Sequence, residues 1–207
     1  GCAVTTGTGA VWRTAGVWPG ERVCVIGCGG VGMSAILGAV AVGAAPIVAV
    51  DLDEGKLELA LSLGATDAVL WAGGPEATAE RVQSVSGGGV DYAIEATGRA
   101  EAGLAAFLAT RPRGAAVLIG IPHADAVLSL PAQLIPRSER RVLGSLYGSA
   151  RPERDFPALL DLYLRGRLPL DRLISARVPL EGVEQALDDL RAATALRTVL
   201  ELDGAAA

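Results

Sequence analysis

Arg22–Asp51 reads RVCVIGCGGVGMSAILGAVAVGAAPIVAVD, and the order of elements inside it decides the fold class. Arg22–Gly27 is a β-branched apolar run and predicts a strand. Val31–Gly43 is rich in Ala, Val and Leu and predicts a helix, and Pro46–Asp51 predicts a second strand. From Val23 to Val50 no residue is charged, which is length enough for a membrane span. Six glycines (27, 29, 30, 32, 38, 43) and Pro46 interrupt that run where turns belong. Strand, turn, buried helix and strand read just as apolar when both faces of a sheet are covered. No Lys/Arg asymmetry flanks the segment and no secretory signal leads the chain. The expectation is a soluble protein with no membrane partner.

The same alternation continues downstream. Glu54–Leu63 is a helix closed by Gly64, Asp67–Trp71 a short strand, and Pro75–Val85 a helix with Pro in its first turn. Val90–Glu95, Ala100–Ala109 and Ala115–Gly120 extend the pattern, with Arg140–Tyr147 as a sixth strand. Repeated βαβ units predict an α/β fold, a doubly wound parallel sheet of Rossmann type. Near Ser149–Pro152 the pattern changes: helix Phe156–Leu164 with Pro157 near its start, strand Leu173–Val178, helix Glu181–Ala192, strand Arg197–Leu202. Two domains are expected, 1–148 with a lead-in helix and 149–207. The second is too short and irregular to bury a core of its own.

Composition narrows the function. The 207 residues are 51% hydrophobic with 27 glycines more, so intrinsic disorder is excluded. A net charge of −5 excludes a basic nucleic-acid footprint. Three cysteines make a disulfide scaffold unsuitable and fit a reducing, cytoplasmic setting. The first residue is Gly1 and the only methionine Met33, which leads to the expectation that the chain is the body of something longer or a processed product.

Gly27-Cys28-Gly29-Gly30-Val31-Gly32 is a G-x-G-x-x-G placed between the first strand and the first long helix, the context that gives the pattern meaning. Gly27 permits the tight turn, Gly29 lets backbone approach a pyrophosphate, and Gly32 lets helix pack on strand. The anion then lies at the helix N-terminus, against unpaired N–H groups and the positive end of the dipole. Asp51, 24 positions after Gly27, closes the second strand and can accept hydrogen bonds from ribose hydroxyls. A 2′-phosphate there would set like charges about 4 Å apart, a repulsion on the order of 4 kcal/mol at an effective dielectric near 20. NAD rather than NADP is the expected cofactor.

These residues resemble the medium-chain, zinc-dependent alcohol dehydrogenase family. The similar stretches are GCAVTTGTGA (1–10), PGERVCVIGCGGVG (19–32), LGATD (63–67), GVDYAIEATG (89–98) and LRTVLEL (196–202), in order along essentially the whole chain. The resemblance implies a cofactor domain followed by the returning C-terminal part of a GroES-like substrate domain, whose N-terminal part is not in this sequence. It implies that Cys2 is a ligand of the catalytic zinc, with the other Cys and His ligands in that N-terminal part. It also implies that Thr6 and Val31 touch the nicotinamide ring, and that Lys56 meets a ribose. By the same resemblance Ile119, Ile121, Leu146 and Tyr147 surround the carboxamide, and Arg197 lies near the pyrophosphate. Cys24 and Cys28 read as packing residues, and His123 as a solvated loop side chain. Arg151–Ser175 is similar to the branch containing mycothiol-dependent formaldehyde dehydrogenase. The implied activity is hydride transfer between NAD and a primary alcohol or S-hydroxymethyl thiol adduct. In that family the sixth strands of two cofactor domains pair, which implies a homodimer through Ala126–Leu130 and Arg140–Tyr147. A non-catalytic NAD-binding regulatory module is the rival class. Cys2 and the tail beyond Ser149 favour the enzyme, and Cys and His ligands encoded upstream of Gly1 would discriminate.

Overall fold

The computed structural model describes residues 1–192 and 195–202. Six parallel strands form one sheet: β1 (Val23–Ile26), β2 (Ile47–Asp51), β3 (Asp67–Leu70), β4 (Val90–Glu95), β5 (Thr110–Leu118) and β6 (Arg141–Gly144). Their order is β3-β2-β1-β4-β5-β6, with Val23 opposite both Ile47 and Tyr92. The winding therefore reverses at β1. In open α/β sheets, ligands bind in the crevice beyond the strand C-termini at such a reversal.

The helices of this unit are α1 (Cys2–Gly9, running on as a π-turn over Ala10–Ala15), α2 (Gly30–Val42), α3 (Glu54–Ser62), α4 (Gly74–Val85), α5 (Ala100–Ala109) and the short α6 (Leu134–Ser138). Alternation along β1 and β2 divides their buried residues between two faces. Cys24, Ile26, Val48 and Val50 join Val82 of α4 and Phe107 of α5 in one core cluster. The other face receives α2, where a Cβ on Gly32 would lie 3.3 Å from Val25 Cγ1. Helix α1 lies on α2, and Trp12 Nε1 donates to the Gly38 carbonyl at 2.8 Å. Both sheet faces are thus covered, which is why Val23–Val50 carries no charge. No helix among the described residues is long and apolar enough to cross a membrane.

Internal contacts divide the chain at Leu160/Asp161 rather than at 148/149. The first unit keeps Ser149–Leu160 because Arg13 Nη2 donates to Asp155 Oδ1 at 2.5 Å. Helix α7 (Pro152–Leu164) starts at Pro152 rather than Phe156, leaving Pro157 inside it. Its earlier start follows from Asp155, whose Oδ2 accepts the Arg151 N–H at 2.8 Å. Ala126–Leu130 forms no strand and has no ladder partner among the described residues. In the second unit the strand expected over Leu173–Val178 is β7 (Ala176–Pro179), after a 3-10 turn at Leu170–Leu173. Helix α8 (Val183–Arg191) follows, and β8 (Thr198–Glu201) pairs parallel with β7.

Candidate nucleotide-binding site

The loop leaving β1 has the geometry its glycines require. Gly27 sits at φ +96° and donates its N–H to the Val50 carbonyl at 2.8 Å. A Cβ on Gly32 would collide with the Gly27 carbonyl oxygen, so helix α2 can start this close to the strand only with glycine there. A Cβ on Gly29 would meet nothing within 4 Å. No side chain caps α2, leaving the first-turn amides of Gly30, Val31 and Gly32 without a side-chain acceptor. The fit to a pyrophosphate is good on both counts: open space at Gly29 and unpaired donors facing it.

Asp51 ends β2 beside this loop. Its Oδ2 accepts the Cys28 N–H at 2.6 Å and its Oδ1 accepts the Asp53 N–H at 3.1 Å. A carboxylate has about four lone-pair sites. Two backbone bonds fix its plane and leave acceptor capacity for a diol. Asp53 caps α3, accepting the Lys56 N–H at 3.1 Å, and this sets Lys56 in the first turn. Cys28 is fully buried and its Sγ donates to the Val50 carbonyl at 3.6 Å. Burial first, and the Asp51 charge second, push its thiol up to about 12. Cys24 is pushed up too, chiefly by burial. Both are packing residues, as the sequence suggests.

A cleft of about 350 Å³ opens from Gly27 and Asp51. β1 and β2 contribute Ile26 and Val50, the segment after β3 contributes Trp71 and Pro75, and the segment after β4 contributes Thr97 and Arg99. Trp71 and Arg99 lie outside any motif, and Thr97 lies within GVDYAIEATG without a role that the stretch assigns it. The same stretch holds Glu95, a buried carboxylate closing β4 as Asp51 closes β2. Its Oε1 accepts from the Thr97 N–H, the Thr97 hydroxyl and the Gly98 N–H at 2.5–2.8 Å. Its carbonyl accepts from Ile119 and Gly120 at 3.0 and 3.1 Å. Glu95 therefore ties the loops after β4 and β5 together. The chain offers one signal for it, an acid ending VDYAIE as Asp51 ends IVAVD.

The remaining anticipated residues are more dispersed. Thr6 is buried in α1, with its Oγ1 3.7 Å from the exposed Cys2 Sγ. Ile119 is buried after β5, whereas Ile121 and Leu146 are 82% and 78% exposed. Tyr147 opens a tight left-handed turn at φ +54°. Arg197 belongs to the second unit, where it is exposed just before β8. His123 is exposed, with Nδ1 3.5 Å from an Asp125 carboxylate oxygen. No group of three or more His, Cys, Asp or Glu able to hold a metal occurs among the described residues. Cys2 alone does not make a zinc site, since zinc takes at least three protein ligands.

Strand order, glycine loop and strand-end acid together define a dinucleotide-binding domain of Rossmann type. The zinc-binding dehydrogenase family model matches residues 30–165, and the chain belongs to that family. It is 33% identical over 204 residues to alcohol dehydrogenase 3 of Hordeum vulgare, covering 98% of this chain and 53% of that protein. Among solved structures, an alcohol dehydrogenase zinc-binding domain protein from Burkholderia ambifaria superposes with a TM-score of 0.92 at 34% identity, over 98% of this chain and 54% of its own. Benzyl alcohol dehydrogenase from Acinetobacter calcoaceticus gives 0.92 at 30% identity, over 98% and 55%. The chain thus spans about half the length of these relatives.

Proposed function

We propose that this chain is the NAD-binding part of a zinc-type alcohol dehydrogenase, acting on a primary alcohol or an S-hydroxymethyl thiol adduct. The observation that carries it is the Asp51 carboxylate, held by two backbone N–H groups at the mouth of a cleft that begins at the glycine loop. NAD, when bound, supplies the hydride acceptor. The chain's own residues do the rest of what a cofactor domain does, which is binding and orientation. The α2 amides hold the diphosphate, Asp51 accepts from the adenosine ribose, and Lys56 stands on the same side to meet a hydroxyl. Thr6, Val31, Ile119 and the backbone at Ile121, Leu146 and Tyr147 would set the nicotinamide face. Cys2 is proposed as one zinc ligand of a longer protein, and Asp161 onward as part of its substrate domain. The alcohol dehydrogenase relatives favour this reading over a purely regulatory module.

The test is a calorimetric titration of the chain with NAD and with NADP. Asp51 should hold NADP at least tens-fold weaker, from a charge repulsion on the order of 4 kcal/mol before solvent screening. Equal affinities would remove the role given to Asp51.

A further inference from the structure

Two uncommon backbone conformations face one another at the outer end of the sheet. Beyond β6, Tyr147, Gly148 and Ser149 follow in turn at φ +54°, +68° and +50°, all left-handed and two of them not glycine. A residue with a Cβ enters that region only at a cost, and such turns persist where their surroundings hold them. Opposite lies the π-turn Ala10–Ala15, a form found mostly as single turns at functional sites. One hydroxyl joins the two. Thr14 Oγ1 donates to Ser145 Oγ at 2.6 Å and lies 2.9 Å from Ser149 Oγ. A hydroxyl has a single proton to give, so Ser149 donates the second bond. Gly148 is wedged against α1, where a Cβ would collide with the Thr5 and Thr6 carbonyls. Thr14 is half-buried and Ser149 exposed, so neither serves the core.

We propose that Thr14 is a positioning residue: its hydroxyl, bridging Ser145 and Ser149, holds the Tyr147–Ser149 turn ready for the nicotinamide half of the dinucleotide. This rests on the dinucleotide reading and adds to it a residue that acts only through the turn. The place of the turn in the sheet supports it. Asp51 ends β2 and the turn follows β6, four strands further along, which is about 19 Å at the usual strand spacing. With the adenosine ribose at Asp51 and the diphosphate at α2 beside β1, only the far end of the ligand comes near β6. A turn fixed before binding costs the complex no ordering, whereas a loosened one must be ordered again.

ADP-ribose is the dinucleotide without its nicotinamide, so the ratio of NADH to ADP-ribose affinity, measured by calorimetry on the 207-residue chain, isolates the turn. The wild-type chain should bind NADH the tighter. Thr14→Val removes both hydroxyl bonds at nearly constant shape. It should weaken NADH about five-fold, the worth of one net hydrogen bond, and ADP-ribose less than about two-fold. Thr14→Ser should keep wild-type affinity for both. Ser149 separates strain from hydrogen bonding. Ser149→Ala loses the bond but keeps a Cβ at positive φ, and should behave like Thr14→Val. Ser149→Gly adopts the turn without strain and should stay within about two-fold of wild type. A wild-type chain that binds NADH no tighter than ADP-ribose, or a Thr14→Val chain that keeps the wild-type ratio, overturns the positioning role while the dinucleotide reading stands. A wild-type chain that binds neither ligand overturns both.

Discussion

At the scale of single residues, the glycine loop and Asp51 work as one unit. The Cys28 N–H donates to Asp51 Oδ2, so the loop and the strand-end acid fix one another before any ligand arrives. The arrangement also governs thiol chemistry. The Asp51 charge adds to burial in holding Cys28 protonated, and Cys24 is buried in β1, whereas Cys2 is exposed. Since the thiolate is the nucleophile, a maleimide or aromatic disulfide reagent at pH 8 should modify one thiol per native chain and three after denaturation. Fast reaction of a second thiol in the folded chain would contradict the packing described for the loop. Gly27, Gly32 and Asp51 could be read from sequence because backbone geometry and charge leave few alternatives at those positions. Glu95 offers only the weak signal of an acid at a strand end and Trp71 none, since their places depend on which strand ends the fold brings side by side. A lone Trp after a short strand has no spacing to read.

At the scale of elements, hydrophobic periodicity located all six strands of the sheet to within a few residues. Errors collected where tertiary contacts override local pattern. Helix α7 starts early because Asp155 accepts from the Arg151 N–H and from Arg13. Burial alone would raise the Asp155 pKa, but these donors outweigh it and hold the carboxyl below its usual value. A depressed carboxylate contributes stability above its unfolded pKa and loses it as pH falls through the folded value. Asp155→Asn should therefore cost about 2 kcal/mol at neutral pH, typical of leaving a charged partner unsatisfied. The gap from wild type should close below the ordinary carboxylate range. Thermal unfolding at pH 7 and at pH 3 checks both the size and the sign.

The outer edge of β6 bears on association. Strand β6 is the last in the sheet and, among the described residues, pairs only with β5. Arg140, just before the strand, and Arg141, its first residue, each donate to a carbonyl of their own chain. Arg140 Nε donates to the Thr110 carbonyl at 3.1 Å with its guanidinium 5.7 Å from the Phe107 ring centroid, and Arg141 Nη2 reaches the Arg113 carbonyl at 3.4 Å. Arg140 is drawn back over its own chain whereas Arg141 stays exposed, and an edge strand without a second ladder partner offers its open hydrogen-bonding groups to another chain. A two-fold pairing of β6 satisfies both copies symmetrically. Light scattering over a dilution series should give a dimer mass at tens of micromolar. A folded monomer throughout that range would contradict the edge pairing.

At the scale of the whole molecule, the two compact units differ in how they dispose of their apolar residues. Gly1–Leu160 buries Val, Ile and Ala on both faces of its sheet. From Asp161 onward, α8 has no buried residue, and Leu187 and Leu190 are exposed. Such amphipathic pieces suit a domain completed by further polypeptide, in keeping with relatives about twice as long. Cys2 is an exposed thiol at the start of α1, and no group of three or more His, Cys, Asp or Glu able to hold a metal occurs among the described residues. Zinc affinity comes from several preorganised, deprotonated ligands together, and one thiolate supplies only a fraction of it. The 207-residue chain alone should therefore bind NAD yet retain no zinc after dialysis, and should produce no NADH from primary alcohols. Metal analysis by mass spectrometry, alongside absorbance at the NADH band, decides the matter. One zinc per chain together with alcohol-dependent NADH would show that the ligands and the substrate pocket lie within these residues after all.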